Sequence, residues 1–295
     1  MPDRSKGRRQ EHRDAFVLIA PLLLLLAVFI LYPVLSNIYY AFTEWRGFGE
    51  STWVGARNFL QLIGDDKFWI AIKNTGILIL YIPLGTLVPL VLSAILRDGL
   101  PGWTVYRAIL YLPNVLGYII LGILFNVFLR QNGPLNLFLN DIGLDALALN
   151  WIGSSRLAIH VVGTLFVVWS LIGFGCIYFL AAMSTIDASL YDAARIDGAG
   201  WWRTFFQVTV PGIRFAVEFW VVLLFITVFA RAFGFLFTFT GGGPGFSTWT
   251  LEFGIYILGF RNYKMGYGSS WAVVLFVFCA LIAIAQIRLI RRAEQ

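Results

Sequence analysis

Long apolar runs separated by short polar stretches set the organisation of the chain. They lie at about Ala15–Leu35, Thr75–Leu96, Val105–Leu129, Leu157–Met183, Phe215–Phe237 and Gly266–Ile290. Each is close to or above the roughly 20 mainly apolar residues that a helix needs to cross a bilayer. Pro21, Pro33, Pro83, Pro89 and Pro113 fall inside apolar stretches. Neighbouring membrane helices can satisfy the carbonyls that prolines free, so these positions do not argue against spans. The first run exceeds the apolar core of about 7–15 residues of a cleaved signal, and no small-x-small site follows it, which predicts a retained helix. The expected fold is an all-α polytopic membrane protein of about six transmembrane helices. A tail over 1–14 precedes a transmembrane domain over 15–292, with no soluble domain and no internal repeat.

Composition agrees. Of the 295 residues 59% are hydrophobic and 13% charged, against about 25% charged in an ordinary soluble domain. The formal net charge of +6 comes from bases that flank apolar runs, which points to membrane orientation rather than nucleic acid. With the N-terminus placed inside, thirteen Lys and Arg fall in inner segments and eight in outer ones, and Arg231 lies within a run. That bias predicts both termini on the cytoplasmic side. The outer segment from Phe42 to Lys73 carries Trp45, Trp53, Phe59, Phe68 and Trp69, an aromatic belt of the kind that sits at a membrane interface.

Catalytic chemistry finds no foothold. Cys176 and Cys279 sit in apolar runs, and His12 and His160 have no metal-ligand spacing, so neither a disulfide framework nor a metal site is expected. The chain contains no G-x-S-x-G and no H-E-x-x-H. Asp65 and Asp66 read as a solvated helix cap. Gly241, Gly242, Gly243, Pro244 and Gly245 lack the Lys that a phosphate-binding loop needs. No catalytic residue and no cofactor of its own are therefore assigned to the chain.

The longest inward loop, 184–211, is the most informative segment. Asp187 or Ser189 can cap a helix start. Leu190, Ala193, Ala194 and Asp197 share one helical face. Gly198 suits a left-handed terminus. A second short helix from Trp201 to Val208 then runs toward Pro211. The expectation is a helix-turn-helix at the cytoplasmic interface, with both alanines facing outward.

This loop resembles the "EAA" loop of permease subunits of ABC importers: Glu-Ala-Ala, three residues, Gly, nine residues, then Ile-x-Leu-Pro. Here Asp192-Ala193-Ala194 precedes Gly198 at that spacing, and Val208-Thr209-Val210-Pro211 follows nine residues later. Asp192 departs from Glu by one methylene, and the valines replace Ile and Leu. Trp53-Val54-Gly55 with Asn58-Phe59, Phe68-Trp69 and Asn74-Thr75 resembles an outer loop of the sugar-type permeases. Arg107 with Pro113 is similar to the start of their third helix. The Gly241–Gly245 run with Thr248, continued by Phe260, Asn262, Tyr263 and Gly266, resembles the first permease subunit of maltose and glycerol-phosphate systems. The resemblance covers about Phe16 to Arg292.

It implies a type I ABC importer permease in a bacterial inner membrane. Such a subunit forms half of a pathway for a sugar or sugar-like solute and works by alternating access. Asp192, Ala193, Ala194, Asp197, Gly198 and Pro211 would dock on a cytoplasmic ATPase. ATP and Mg would belong to that partner, because this chain has no Walker motif. A related second permease and an extracytoplasmic solute-binding protein would complete the assembly. Gly241, Gly242, Gly243 and Pro244 would lie near where that protein docks, or form a plain connecting turn.

Arg231 sits inside the fifth run, where a charge must face the bundle or a wet cavity. It could meet solute, pair with Glu218, or reach the interface. Asn114, Trp169 and Ser170 are further pathway candidates, each equally suited to a helix–helix hydrogen bond. The alternative to an ATP-driven permease is an ion-coupled secondary transporter. That would need intramembrane acids, and among Asp and Glu only Glu218 comes near the centre of an apolar run.

Overall fold

The structure, a computed structural model, describes residues 17–97 and 103–293. The expected tail 1–14 and the start of the first span at Ala15 lie outside the described residues. Among the described residues four helices are long and apolar enough to cross a membrane: Val17–Ala41, Asp66–Arg97, Leu157–Met183 and Met265–Gln286. Two sharply bent pairs, Ala108–Leu116 with Tyr118–Phe128 and Trp201–Gly212 with Arg214–Ala230, raise the number to six if each pair is one span. The chain divides into two compact units, residues up to 63 with 255–274, and residues 64–254 with those from 275 on.

In the first unit the span Val17–Ala41 ends in a small hairpin, where Thr43 pairs with Trp53 and Glu44 with Thr52. Buried Asn58 locks that turn. Its amide donates to the carbonyls of both Ala41 and Thr43 at 2.9 Å. The helix Met265–Ala293 starts against the same hairpin, because the Gly266 N–H donates to the Trp45 carbonyl at 3.0 Å. A β-carbon on Gly266 would fall 2.0 Å from the Thr43 oxygen, so only glycine allows this approach. The motifs around Asn58 and Gly266, more than 200 residues apart, thus form one small structure.

The second unit holds the helical core. The second span starts nine residues earlier than expected, at Asp66, because Asp65 accepts from the Lys67 N–H at 2.9 Å and caps it. Its interior proline, Pro89, has no N–H to give the carbonyl four residues back. That carbonyl belongs to Gly85, and the fully buried Trp220 supplies the missing donor: its indole Nε1 lies 3.1 Å from the Gly85 oxygen. The fourth span, Leu157–Met183, keeps its predicted bounds but contains a wide π segment, Gly163–Val168, and a 3-10 turn, Trp169–Leu171. It packs closely through glycines. A β-carbon on Gly173 would sit 2.2 Å from the Leu110 carbonyl oxygen, and one on Gly175 would sit 2.7 Å from Pro89.

Two expected continuous spans are broken. The run Val105–Leu129 bends by 102° at Gly117, whose φ of 72° is left-handed. The run Phe215–Phe237 stops at Arg231 and resumes as Ala232–Phe239. The two resumed halves, Tyr118–Phe128 and Ala232–Phe239, then pack on each other. Thr238 Oγ1 donates to the Ile119 carbonyl at 3.1 Å, and Asn126 donates to the Phe239 carbonyl. A further helix, Leu251–Tyr256 continued by the π segment Ile257–Arg261, occupies a stretch not expected to be helical.

Replacing Trp220 by Phe leaves the Gly85 carbonyl without a donor and should destabilise the chain in detergent by about 1–3 kcal/mol. Adding Pro89→Ala restores a helical N–H to that carbonyl. The double variant should therefore melt above Trp220→Phe alone; additive losses in thermal unfolding would contradict this account.

Candidate functional site

Loop 184–211 folds as helix, turn, helix, and its local chemistry explains each boundary. The first helix is Ala188–Ile196. Asp187 is its N-cap and accepts from the Ser189 N–H at 2.9 Å. Hydrogen bonds from Ser189, backbone first, hold the Asp187 carboxyl below its ordinary value. The far end closes through paired bonds: Gly198 N–H to the Arg195 carbonyl at 3.1 Å, and Ala199 N–H to the Ala194 carbonyl at 2.9 Å. This two-bond closure needs a left-handed residue between them, and Gly198 has φ 70°. Asp197 is the C-cap and is exposed.

The expected faces need correction. Ala193 is exposed, but Ala194 is 8% exposed and turns inward. A 3.6-residue period places adjacent residues about 100° apart, so one alanine of a neighbouring pair packs on the protein while the other faces out. Ile196 and Leu190 point outward, at 86% and 52% exposure. Asp192 forms an ion pair with Arg195 at 3.6 Å. Both side chains are mostly exposed, so the pair adds little stability.

The second helix is longer than expected. It runs from Trp201 to Gly212 rather than ending at Val208, and Pro211 lies inside its last turn. The π segment Phe205–Thr209 precedes Pro211. It widens the ladder where the proline lacks a donor. Trp201 stacks on Phe205 at 5.4 Å, and Trp202 on Phe206 at 6.0 Å. Trp202 and Phe206 remain exposed, as do Ile196 and Leu190, so the loop carries four large apolar side chains in the open. Two residues that the sequence reading passed over hold this loop to the bundle. The Arg97 guanidinium sits 3.9 Å over the Tyr191 ring, and the Tyr191 hydroxyl is 3.3 Å from Thr209 Oγ1. The one available signal was position: Arg97 ends a span, and Tyr191 directly precedes Asp192.

The pathway candidates fall near the broken spans. Trp169 meets Phe125 edge to face at 5.1 Å, and Ser170, fully buried, donates to the Phe166 carbonyl in its own helix. Phe166 contacts both Tyr118, just past the Gly117 break, and Phe235, just past the Arg231 break. Asn114 is half-buried one turn before Gly117. Arg231 is exposed at its break and does not pair with Glu218, which bonds Arg214 at 2.9 Å instead. The carboxylate at the break is Glu252, which accepts from the Phe233 N–H at 3.0 Å and from the Ala232 N–H. It caps the resumed helix, a role hidden in the sequence by a separation of 19 residues.

The glycine run forms a tight turn. Gly241, Gly242 and Gly245 have positive φ, and the Gly243–Pro244 peptide is cis. Thr248 Oγ1 donates to the Gly243 carbonyl at 3.0 Å. Asn74 pins the turn, donating to the carbonyls of Phe246 at 2.9 Å and Trp249 at 3.0 Å, and Thr75 accepts from the Leu251 N–H. Lys73, Arg156, His160, Pro244 and Phe246 line a cleft of about 540 Å³ beside it. No cluster of metal-ligating side chains occurs among the described residues.

The family profile of binding-protein-dependent transport system inner membrane components matches residues 81–295. Relatives align along nearly the whole chain. A protein of Thermoanaerobacterium thermosulfurigenes named as a probable starch degradation products transport system permease, AmyD, is 30% identical over 95% of this chain and 94% of its own length. The diacetylchitobiose uptake system permease NgcF of Streptomyces coelicolor is 32% identical, over 88% of this chain and 78% of its own. The sn-glycerol-3-phosphate permease UgpA of Yersinia pestis is 31% identical over 94% of each. The fold matches a chain of a bacterial ABC transporter that imports the acidic polysaccharide alginate, with TM-score 0.82, 22% identity, and coverage of 99% of this chain and 100% of the other.

Gly198→Ala forces a β-carbon into a left-handed position and should weaken the helix end by about 1 kcal/mol. Faster amide exchange over 188–199, with the spans unchanged, would register this. Because the folded Asp187 pKa is lowered, the cap contributes fully above the ordinary value of 3.8 and is lost as pH falls through the folded one. Asp187→Asn keeps a capping oxygen, so exchange protection of this helix, corrected for intrinsic rates, should lose its acid dependence.

Proposed function

We propose a function that starts from one fact: the chain belongs to the family of binding-protein-dependent transport system inner membrane components. It is a membrane-spanning permease subunit of an ABC importer for a sugar or sugar-like solute. Loop 184–211 is its coupling element. The observation that carries this is the closed helix Ala188–Ile196, which buries Ala194 and presents Ile196, with Trp202 and Phe206 on the next helix, as an apolar surface. Asp192, Ala193, Asp197 and Gly198 are exposed along and at the end of the same helix, and Pro211 lies in the last turn of the second.

The partner on that surface is a cytoplasmic ATPase, which holds ATP and Mg. A second, related permease completes the pathway, and both termini of this chain are cytoplasmic. Closure of the ATPases on ATP displaces the helix Ala188–Ile196. The displacement reaches the broken spans, where Arg231, Asn114, Trp169 and Ser170 lie near or beside the solute path. A switch of this kind needs different contacts in its two states, and half-helices packed on half-helices can change partners without exposing a whole span. The turn at Gly241, Gly242, Gly243 and Pro244 contributes to docking of the solute-binding protein. A relative of this fold has been crystallised with a periplasmic protein carrying an alginate pentasaccharide, which supports that partner class. The names of the relatives support oligosaccharides or glycerol phosphate as the solute class.

Tagged chain drawn from membranes in mild detergent should carry an ATPase and a second permease, identified by mass spectrometry. Ile196→Asp removes a large apolar contact and should lower the retained ATPase about tenfold while leaving membrane insertion intact. Chain that purifies alone and transports in liposomes without ATP would overturn the reading.

A further inference from the structure

Given the coupling role proposed for helix Ala188–Ile196, the geometry points to Arg97 and Tyr191 as the strut that carries its displacement into the second span. Arg97 is the last residue of the 32-residue helix Asp66–Arg97. Its guanidinium carbon lies 3.9 Å from the centre of the Tyr191 ring. Tyr191 stands in the middle of the coupling helix, directly before Asp192, Ala193 and Ala194. The contact therefore joins the moving element to the end of the second span with no loop between them.

The remaining contacts of the coupling helix are of a different kind. Ala194 presents a single methyl group, and alkyl surfaces slide past each other at little cost. The Tyr191 hydroxyl reaches Thr209 Oγ1 at 3.3 Å, but Thr209 belongs to the next cytoplasmic helix and moves with the same loop. The cation over the ring is attractive at one registry only, falls off within about 6 Å, and strengthens where both groups are partly desolvated, as these half-buried side chains are. One turn earlier, Ser93 Oγ lies 3.9 Å from the Met183 sulfur at the end of the fourth span. A pull on Arg97 is thus applied where two spans meet.

The pair makes Arg97 a positioning residue, with a signature that loss of packing alone would not produce. The cation and the aromatic face are required, and the tyrosine hydroxyl is not. The test uses the complex as it purifies with its ATPase subunits, reconstituted in liposomes, with Cys176 and Cys279 replaced by Ser. A bimane fluorophore on Leu80→Cys, in the same span, reports the change in emission on trapping with ATP and vanadate.

Arg97→Gln and Tyr191→Leu should each shrink that change about fivefold while the ATPase still co-purifies. Arg97→Lys and Tyr191→Phe should keep most of it. The double variant Arg97→Gln/Tyr191→Leu should be no worse than either single one, the mark of a direct pair. A full signal in Arg97→Gln, or equal losses in Arg97→Lys and Arg97→Gln, overturns the strut. Ala194→Trp separates the two ideas. If it abolishes the signal while Arg97→Gln does not, the coupling loop stands and the strut falls. If Ala194→Trp also leaves the signal intact, the coupling-loop reading itself fails.

Discussion

In a bilayer every backbone N–H and C=O must find its partner inside the protein, and the architecture of this chain follows from where that rule is strained and repaired. At Pro89 the repair is a side chain from another span: the Trp220 indole reaches the Gly85 oxygen. At Arg231 it is the Glu252 carboxylate, which takes the first N–H groups of the resumed helix. Past Gly117 the two half-helices are tied directly, by Thr238 donating to the Ile119 carbonyl. Each repair joins segments distant in sequence, so the places where helices break are also the places where the bundle is tied together.

Lipid tails are as apolar as leucine, so burial from water does not drive one span onto another as it would in a soluble core. Close approach takes over that role. Gly173 lies against the backbone at Leu110, and Gly175 lies between Pro89 and Trp220. These contacts bring dispersion and hydrogen bonding within range together. Trp220 can reach Gly85 only because its neighbours leave room for the ring, and the same close packing places Phe166 against both Tyr118 and Phe235. The breaks at Gly117 and Arg231 are thereby gathered around Phe166 of the fourth span.

Loop 184–211, the proposed coupling element, is held by local bonds instead. Its helices are short, and a helix of nine residues is marginal alone. It holds through the Asp187 cap, the Gly198 closure and anchoring by Tyr191. Its ion pair between Asp192 and Arg195 is solvated and weak, so the exposed apolar side chains are the feature that fits a partner.

The amino-acid sequence by itself determined the long apolar runs, the membrane as solvent, and the helix-turn-helix of loop 184–211. The bounds of Leu157–Met183 and the roles of Asp187 and Gly198 follow from apolar length and local hydrogen bonding, which depend on neighbours along the chain. The turn at Asn74 and Gly241–Gly245 was legible only as two separate motifs; that the first holds the second came from the fold. The breaks at Gly117 and Arg231, the inward turn of Ala194, and the roles of Arg97, Tyr191, Trp220 and Glu252 were decided by tertiary structure alone. Hydropathy reports whether a residue tolerates lipid. It does not report which carbonyl 135 residues away lacks a donor, and in a membrane that partner settles where a helix can bend.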